Sequence, residues 1–211
     1  MVPGIVTFTA ASLAAVFVLS VIAPRAVIWL FGAPGLSPIR FFAGPANAGG
    51  LFAWASPLFT HVWLHAGIAH LLFNALWLVV FGSPLARRLR SPLRFLAFFM
   101  LCGAAGGLFY AFLNARDAAI LIGASGGVTG LLGGLVRFAF QNPPRGSAGL
   151  HRLPLSDRSV LTWSAIVIAL NASITVFGPG VGAGDANVAW QAHIGGFLFG
   201  LVAFPLFDRR A

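Results

Sequence analysis

Six apolar stretches free of Asp, Glu, Lys and Arg run along the chain, separated by shorter polar or Gly- and Pro-rich segments. Each is about 18 to 24 residues long, the length that an α-helix needs to cross a hydrocarbon core of about 30 Å. A backbone in lipid must satisfy its own hydrogen bonds, and the short alternating segments of a β-barrel are not found, so we predict six transmembrane helices. The stretches are Val6–Ala23, Leu58–Phe81, Phe95–Leu113, Ala118–Val136, Val160–Phe177 and Val188–Phe207.

The composition agrees with a membrane protein. Hydrophobic residues make up 59% of the chain and charged residues only 8%, whereas a soluble domain carries about a quarter charged residues. We therefore expect an all-α polytopic membrane protein, with one membrane domain over residues 1–211 and no soluble appendage. The first stretch could also be a cleaved signal peptide, but it lacks a basic start and exceeds the usual run of about 7–15 apolar residues. It is kept as a helix.

The net charge of +9 comes from arginines that sit between the apolar stretches. Topology and anionic lipid headgroups explain such a pattern better than nucleic acid does, so no nucleic-acid partner is expected. By the positive-inside rule both termini are cytoplasmic, in a multi-pass protein of the inner (plasma) membrane. The inner group is Arg87, Arg88, Arg90, Arg94, Arg137, Arg145, Arg152, Arg158, Arg209 and Arg210, against Arg25, Arg40 and Arg116, with Asp117 and Asp185, outside.

Polar side chains inside the apolar stretches need a reason, because ionisable groups are expensive in lipid. Counted from the inner charged ends at 1.5 Å per residue, Ser125, His193, Asn74 and His70 lie about 18, 22, 20 and 25 Å deep. A hydroxyl, two imidazoles and an amide from three stretches thus reach one level in the outer half of the membrane. Asn171 is expected to bond a neighbouring helix, and His61 is expected at the headgroup level.

Small residues indicate which helices touch. Gly126, Gly130 and Gly134 recur every four residues on the fourth stretch, and Ala192, Gly196 and Gly200 do so on the sixth. Such faces let two helices approach closely, which would bring Ser125 and His193 within hydrogen-bond reach. The same pattern can also serve packing alone.

A serine hydroxyl becomes a good nucleophile when a base such as histidine takes its proton, which assigns these roles to Ser125 and His193. The oxyanion needs donors, which the start of the serine helix, Asn74 and His70 can supply, with His65 a weaker candidate. All four aspartates lie in loops or at the terminus and glutamate is absent. We therefore expect a Ser–His dyad that works without metal, nucleotide or other cofactor.

Other functions fit the same residues less well. The Gly-x-Ser-x-Gly pattern at Ser125 also matches the nucleophile elbow of α/β-hydrolases, but that fold needs a soluble sheet. The histidines could suggest a metal site, but His-Glu-x-x-His is missing and the single cysteine, Cys102, excludes Cys-based zinc. A transporter would usually carry intramembrane carboxylates or inverted repeats.

Taken together, these residues resemble the rhomboid family of intramembrane serine proteases. His65-Ala-Gly-Ile-Ala-His70-Leu-Leu-Phe-Asn74 is similar to its second-helix signature, Gly123-Ala124-Ser125-Gly126 to its nucleophile motif, and Ala192-His193-Ile194-Gly195-Gly196 to its sixth helix. The resemblance implies Ser125 as nucleophile, His193 as base, His70 and Asn74 at the oxyanion, and Gly123 shaping the approach to the serine. It also implies a membrane-embedded first outer loop, here Gly32–Ser56, and a fifth helix that gates the entry of transmembrane substrates.

Two positions depart from the family pattern. The family often has a tyrosine one turn after the serine, where this chain has Thr129, and the Trp-Arg pair of its first outer loop is not evident, since Ala55 follows Trp54. A non-catalytic membrane protein of the same fold is the rival interpretation. The sequence as a whole favours an endopeptidase that cuts transmembrane proteins near the outer end of a helix.

Overall fold

The computed structural model describes residues 1–141, 150–177 and 188–209, with backbone only for residues 174–177. Its regular elements there are eleven α-helices and one 3₁₀ turn, and one isolated bridge is the sole β-pairing in the described part. The helices are α1 Gly4–Ile22, α2 Pro24–Phe31, α3 Pro38–Phe42, α4 Pro45–Ala48, α5 Leu51–Ala55, α6 Pro57–Thr60, α7 Ile68–Leu89, α8 Pro92–Leu113, α9 Ser125–Val136, α10 Arg158–Phe177 and α11 Trp190–Phe207; the 3₁₀ turn is His61–Trp63. Arg145, Asp185 and Arg210, used above for orientation, lie outside the described residues.

Within the described residues four helices, α1, α7, α8 and α11, are long and apolar enough to cross a membrane. These helices confirm the prediction of an all-α membrane protein. Two of the predicted helix starts are wrong. The long helix of the second stretch begins only at Ile68, because residues 57–67 turn through short helices and extended Leu64 before Gly67 caps α7. The fourth becomes helical only at Ser125, because residues 118–123 are non-helical and Leu121 pairs with Leu36 in an earlier loop.

Helix α9 lies at the centre, packed against α7, α8 and α11, while α1 packs against α7. Rings of α8 fill the space between these helices, and the largest fully buried side chains include Phe95, Phe98 and Phe99. Outward-facing positions remain apolar, such as Leu72 on α7 and Leu206 on α11. Side chains that are apolar on both the inner and the outer face are typical of a bundle whose solvent is lipid.

The predicted contact between the glycine faces of α9 and α11 is confirmed. A Cβ placed on Gly196 would overlap the carbonyl of Gly126, and one placed on Gly200 would overlap that of Gly130. The two backbones are therefore in direct contact.

The third α9 glycine was assigned wrongly. Gly134 faces Phe98 and Leu85, while Gly133 meets the backbone of α11 at Phe197 and Leu201. With 3.6 residues per turn, a four-residue repeat drifts by about 80° over two steps, whereas a seven-residue step stays close to the starting face.

The loop Gly32–Ser56, predicted to be the first outer loop, folds back on itself and contacts α8 and the segment before α9. Arg40 donates to the carbonyl of Ala48 at 3.0 Å, and the Trp54 indole donates to that of Phe41 at 2.7 Å while stacking on its ring. Leu36 exchanges two backbone hydrogen bonds with Leu121, of 3.0 and 2.8 Å. These contacts hold the loop in the absence of a Trp-Arg pair.

Arginines satisfy carbonyls at the opposite end of the bundle. Pro205 in α11 has no N–H, so the carbonyl of Leu201 loses its helical donor. The guanidinium of Arg137 replaces that donor at 2.7 Å and also donates to Leu153 at 2.9 Å. Burial lowers the pKa of Arg137, which lies beyond the end of α9, and the charge of Arg152 adds to the effect.

Candidate active site

Ser125 is the first residue of α9, with Ala124 as its N-cap, and its side chain is half-buried. The first α-helical hydrogen bond at this end runs from the Val128 N–H to the Ala124 carbonyl at 2.9 Å. The N–H groups of Ser125 and Gly126 precede that bond and so have no partner within the helix. Such a helix start favours negative charge, and the hydroxyl of Ser125 lies beside it.

Gly123 places the chain for this turn. Its φ of +118° is a conformation that favours glycine, and its N–H donates to the carbonyl of His61 at 2.9 Å. A Cβ at this position would lie 2.7 Å from Nε2 of His70 and 3.9 Å from Nδ2 of Asn74. The absence of a side chain therefore leaves a space between the entry to Ser125 and two polar side chains of α7.

His70 and Asn74 both present N–H donors to this space. The Ala66 N–H donates to Nδ1 of His70 at 3.4 Å, so the ring proton is on Nε2, the atom that faces Gly123. Nδ2 of Asn74 donates one hydrogen to the His70 carbonyl at 3.0 Å and keeps its second. Asn74 is buried, with 4% of its surface exposed, and the geometry suits the binding of an oxyanion.

His61 and His65, which precede His70 in the sequence, are buried next to this arrangement. His61 lies inside the protein, and its expected place at the headgroup level stays a prediction. Its ring is buried against Gly107 of α8 with Nδ1 2.8 Å from the carbonyl of Pro57. His65 is also buried and meets His70 edge to face, with ring centroids 5.0 Å apart. Its Nδ1 lies 3.2 Å from the carbonyl of Trp63.

Thr129 joins the serine turn to the histidine helix. Its hydroxyl lies 2.9 Å from the Ser125 carbonyl oxygen and 3.0 Å from that of His193. Both oxygens are within hydrogen-bond range of one atom, so the backbones of the two residues are in immediate proximity. The residue that departs from the family pattern thus links the two helices that carry the predicted dyad.

His193 has a polar partner on α10 that the sequence analysis did not assign to the site. Its Nδ1 is hydrogen-bonded to Oδ1 of Asn171 at 2.9 Å. The expectation that Asn171 bonds a neighbouring helix is confirmed, and the neighbour is the predicted base itself. An amide within an apolar stretch was the available signal, but the rotation of α10 that points it at His193 is a tertiary property.

The chain resembles known proteins over most of its length. Residues 53–210 match the Rhomboid domain family. The relatives include RHOMBOID-like protein 4 of Arabidopsis thaliana, 34% identical over 149 residues that cover 70% of this chain and 33% of that protein. Rhomboid protease GluP of Bacillus subtilis (strain 168) is 32% identical over 146 residues, or 69% of this chain and 25% of that protein.

A third relative matches along most of both chains. Putative rhomboid protease YdcA of Bacillus subtilis (strain 168) is 27% identical over 203 residues, covering 90% of this chain and 89% of that protein. By contrast, the chain spans about a third or less of the length of RHOMBOID-like protein 4 and GluP. With the family domain matched from Ala53 onward and four apolar helices of membrane-spanning length, this chain is a multi-pass membrane protein that belongs to the rhomboid family.

Proposed function

We propose that this protein is an intramembrane serine endopeptidase in which Ser125 is the nucleophile and His193 the general base. The observation that carries the proposal is the Thr129 hydroxyl, which lies within 3.0 Å of backbone oxygens of both residues, so that the start of α9 is beside α11. Two relatives named as rhomboid proteases support the same reaction class. No cofactor is assigned to the reaction.

The hydrolysis proceeds in two stages. His193 takes the proton of the Ser125 hydroxyl as its oxygen attacks the peptide carbonyl, and the tetrahedral oxyanion is held by the Ser125 N–H and the donors of His70 and Asn74. His193 then protonates the leaving amine, which leaves an acyl ester on Ser125. Water, deprotonated by His193, attacks that ester, and His193 returns the proton to the Ser125 oxygen as the second product leaves.

The substrates that fit such a site are transmembrane segments of other membrane proteins. A peptide bond inside a helix is shielded by its own hydrogen bonds, so the substrate must unwind locally before Ser125 can reach it. Helix-weakening Gly or Pro residues near the cut should therefore favour cleavage. The fifth helix, α10, is the proposed side of entry, and His65 keeps a weaker role beside His70.

The proposed topology has six spans in one domain over residues 1–211, with both termini cytoplasmic and the site toward the outer side of the inner membrane. Helix α9 has 12 residues, or about 18 Å, which is shorter than the hydrocarbon core. Residues 118–124, which precede the helix and form no strand, complete its passage. This arrangement supports a site below the outer surface, because a loop and not a helix would connect that surface to Ser125.

Turnover of a single-span reporter by the purified protein in lipid vesicles tests the activity. Ser125→Ala and His193→Ala should each abolish cleavage while keeping the helical circular dichroism and the size-exclusion profile of the parent. A fluorophosphonate probe should label the parent and neither variant. Cleavage retained by the Ser125→Ala protein would overturn the proposal, and a folded parent that neither cleaves nor labels would favour the non-catalytic interpretation.

Single cysteines test the topology, since Cys102 is the one natural cysteine and is buried. In a Cys102→Ser background, Ala46→Cys and Arg87→Cys replace exposed residues near opposite ends of the bundle. A membrane-impermeant maleimide added to intact cells should label the first and not the second. The reverse pattern would invert the proposed orientation.

A further inference from the structure

We infer that Asn171 is a positioning residue that holds His193 in the tautomer required of a general base. The inference rests on the proposed function and adds a third polar group to the Ser125–His193 pair. It concerns one hydrogen bond, between Nδ1 of His193 on α11 and Oδ1 of Asn171 on α10.

The orientation of the Asn171 amide follows from its second contact. Its Nδ2 donates to the carbonyl of Val167 at 2.9 Å, one turn earlier on the same helix. A carbonyl only accepts, so the amide nitrogen must face Val167 and the amide oxygen must face His193. The side chain is thus fixed at both ends by groups whose hydrogen-bonding roles cannot be exchanged.

The protonation state of the ring follows in turn. An amide oxygen cannot donate, so the hydrogen of this bond belongs to Nδ1 of His193, and the lone pair of the neutral ring is then on Nε2. That lone pair is what takes the serine proton, and Oδ1 also stabilises the imidazolium that results. Asn171 therefore does for His193 what a buried carboxylate does in a soluble Ser–His–Asp protease, without placing an anion in lipid.

The opposite arrangement at His70 strengthens the inference. There a backbone N–H, that of Ala66, points at Nδ1 and leaves the proton on Nε2. The Ala66 N–H thus leaves Nε2 of His70 as a donor, while Asn171 leaves Nε2 of His193 as an acceptor. Such a division is what acid–base chemistry on one substrate carbonyl requires.

Asn171→Leu removes the acceptor with little change in volume, and Asn171→Asp keeps an acceptor oxygen. We expect kcat for the membrane reporter to fall roughly 10- to 100-fold in Asn171→Leu with KM nearly unchanged, because the lost bond is strongest to the charged ring. Asn171→Asp should restore kcat to within a few-fold of the parent. Asn114→Leu is the matched control, since that amide also bonds a carbonyl four residues earlier, that of Tyr110, and it should turn over like the parent.

A readout independent of activity is the ¹⁵N spectrum of histidine-labelled protein, with the His193 signals assigned by their loss in His193→Ala. The parent and Asn171→Asp should show a protonated Nδ1, and Asn171→Leu should shift toward the Nε2–H tautomer. Parent-like kcat and tautomer in Asn171→Leu would overturn the inference while leaving the dyad intact. Equal loss of kcat in the Leu and Asp variants with an unchanged tautomer would also overturn it, whereas cleavage by Ser125→Ala would instead remove the proposed function.

Discussion

Gly123 shows how much of the candidate site depends on one residue without a side chain. Its positive φ turns the chain from the preceding non-helical segment into α9, and the space where a Cβ would lie is bordered by His70 and Asn74. A substrate carbonyl approaching Ser125 would use that space. The glycine therefore serves both backbone geometry and access, two effects that substitution can separate.

Gly123→Ala should lose turnover at least 10-fold and lower the unfolding free energy by roughly 1–3 kcal/mol, because it adds both strain and a collision with His70. Gly44→Ala is the matched control, since Gly44 has a φ of +82° and nothing within 4 Å of its Cβ position. It should lose about 1 kcal/mol and no activity. Reporter turnover and thermal unfolding in detergent measure both quantities, and equal kcat losses in the two variants would contradict the collision.

Thr129 offers a second test at the scale of one residue. Thr129→Val keeps the shape and removes the hydroxyl that lies within hydrogen-bond range of the carbonyls of Ser125 and His193. One such bond is worth about 1 kcal/mol, so kcat should fall about fivefold if the link sets the distance between the pair. Thr129→Ser retains the hydroxyl and should stay near the parent value. Parent-like turnover in the valine variant would show that the glycine contacts alone hold the two residues.

At the scale of elements, the site depends on how closely α9 and α11 approach. Gly196→Ala would press a methyl group against the carbonyl of Gly126, and backbone cannot move aside as a side chain can. The helices must separate, which should cost about 1–3 kcal/mol of stability and most of the activity. Val202→Ala, at a position of α11 with 60% exposure, should change stability by less than about 0.5 kcal/mol. Thermal unfolding of both variants in one detergent decides the matter.

The apolar pattern predicted the existence of the long helices well and their starts poorly. Residues 118–124 and 58–67 contain no Asp, Glu, Lys or Arg, like the helices that they precede. Composition therefore does not separate buried loop from helix. Local signals were present at Pro57 and Gly67, residues typical of turns and helix caps.

At the scale of the whole molecule, a buried ion pair closes the end of the bundle remote from the candidate site. Arg88 of α7 and Asp208 after α11 are 2.8 Å apart, with 5% and 0% of their side chains exposed. Arg88→Leu would remove the guanidinium that neutralises a buried carboxylate, at a cost of about 3–5 kcal/mol. Arg87→Leu, at the exposed neighbour, should cost under about 0.5 kcal/mol.

About 22 Å of helix separates His193 from Asp208. The turnover of folded Arg88→Leu protein should therefore match that of the parent. Thermal unfolding and turnover per folded molecule measure the two effects separately. A loss of turnover without a loss of stability would mean that the ion pair communicates with the site.

The sequence predicts which residues form the candidate site but not the hydrogen bonds between its helices. Ser125, His193, His70 and Asn74 were identified from residue type, depth and motif, all properties of the sequence. The partner of His193 was not, because Asn171 lies on a different helix, and only the rotation of α10 brings its amide oxygen within 2.9 Å of the ring. The bond from Thr129 to α11 was missed for the same reason.

The bridge between Leu36 and Leu121 joins positions far apart in the sequence, and contacts of that kind form late because a large loop must close first. Until the loop Gly32–Ser56 has docked, the segment that leads into Ser125 lacks its backbone partner. A newly inserted chain would therefore complete the geometry around its proposed nucleophile only as one of its last folding events. Immature copies would then lack the proposed activity toward their neighbours in the same membrane.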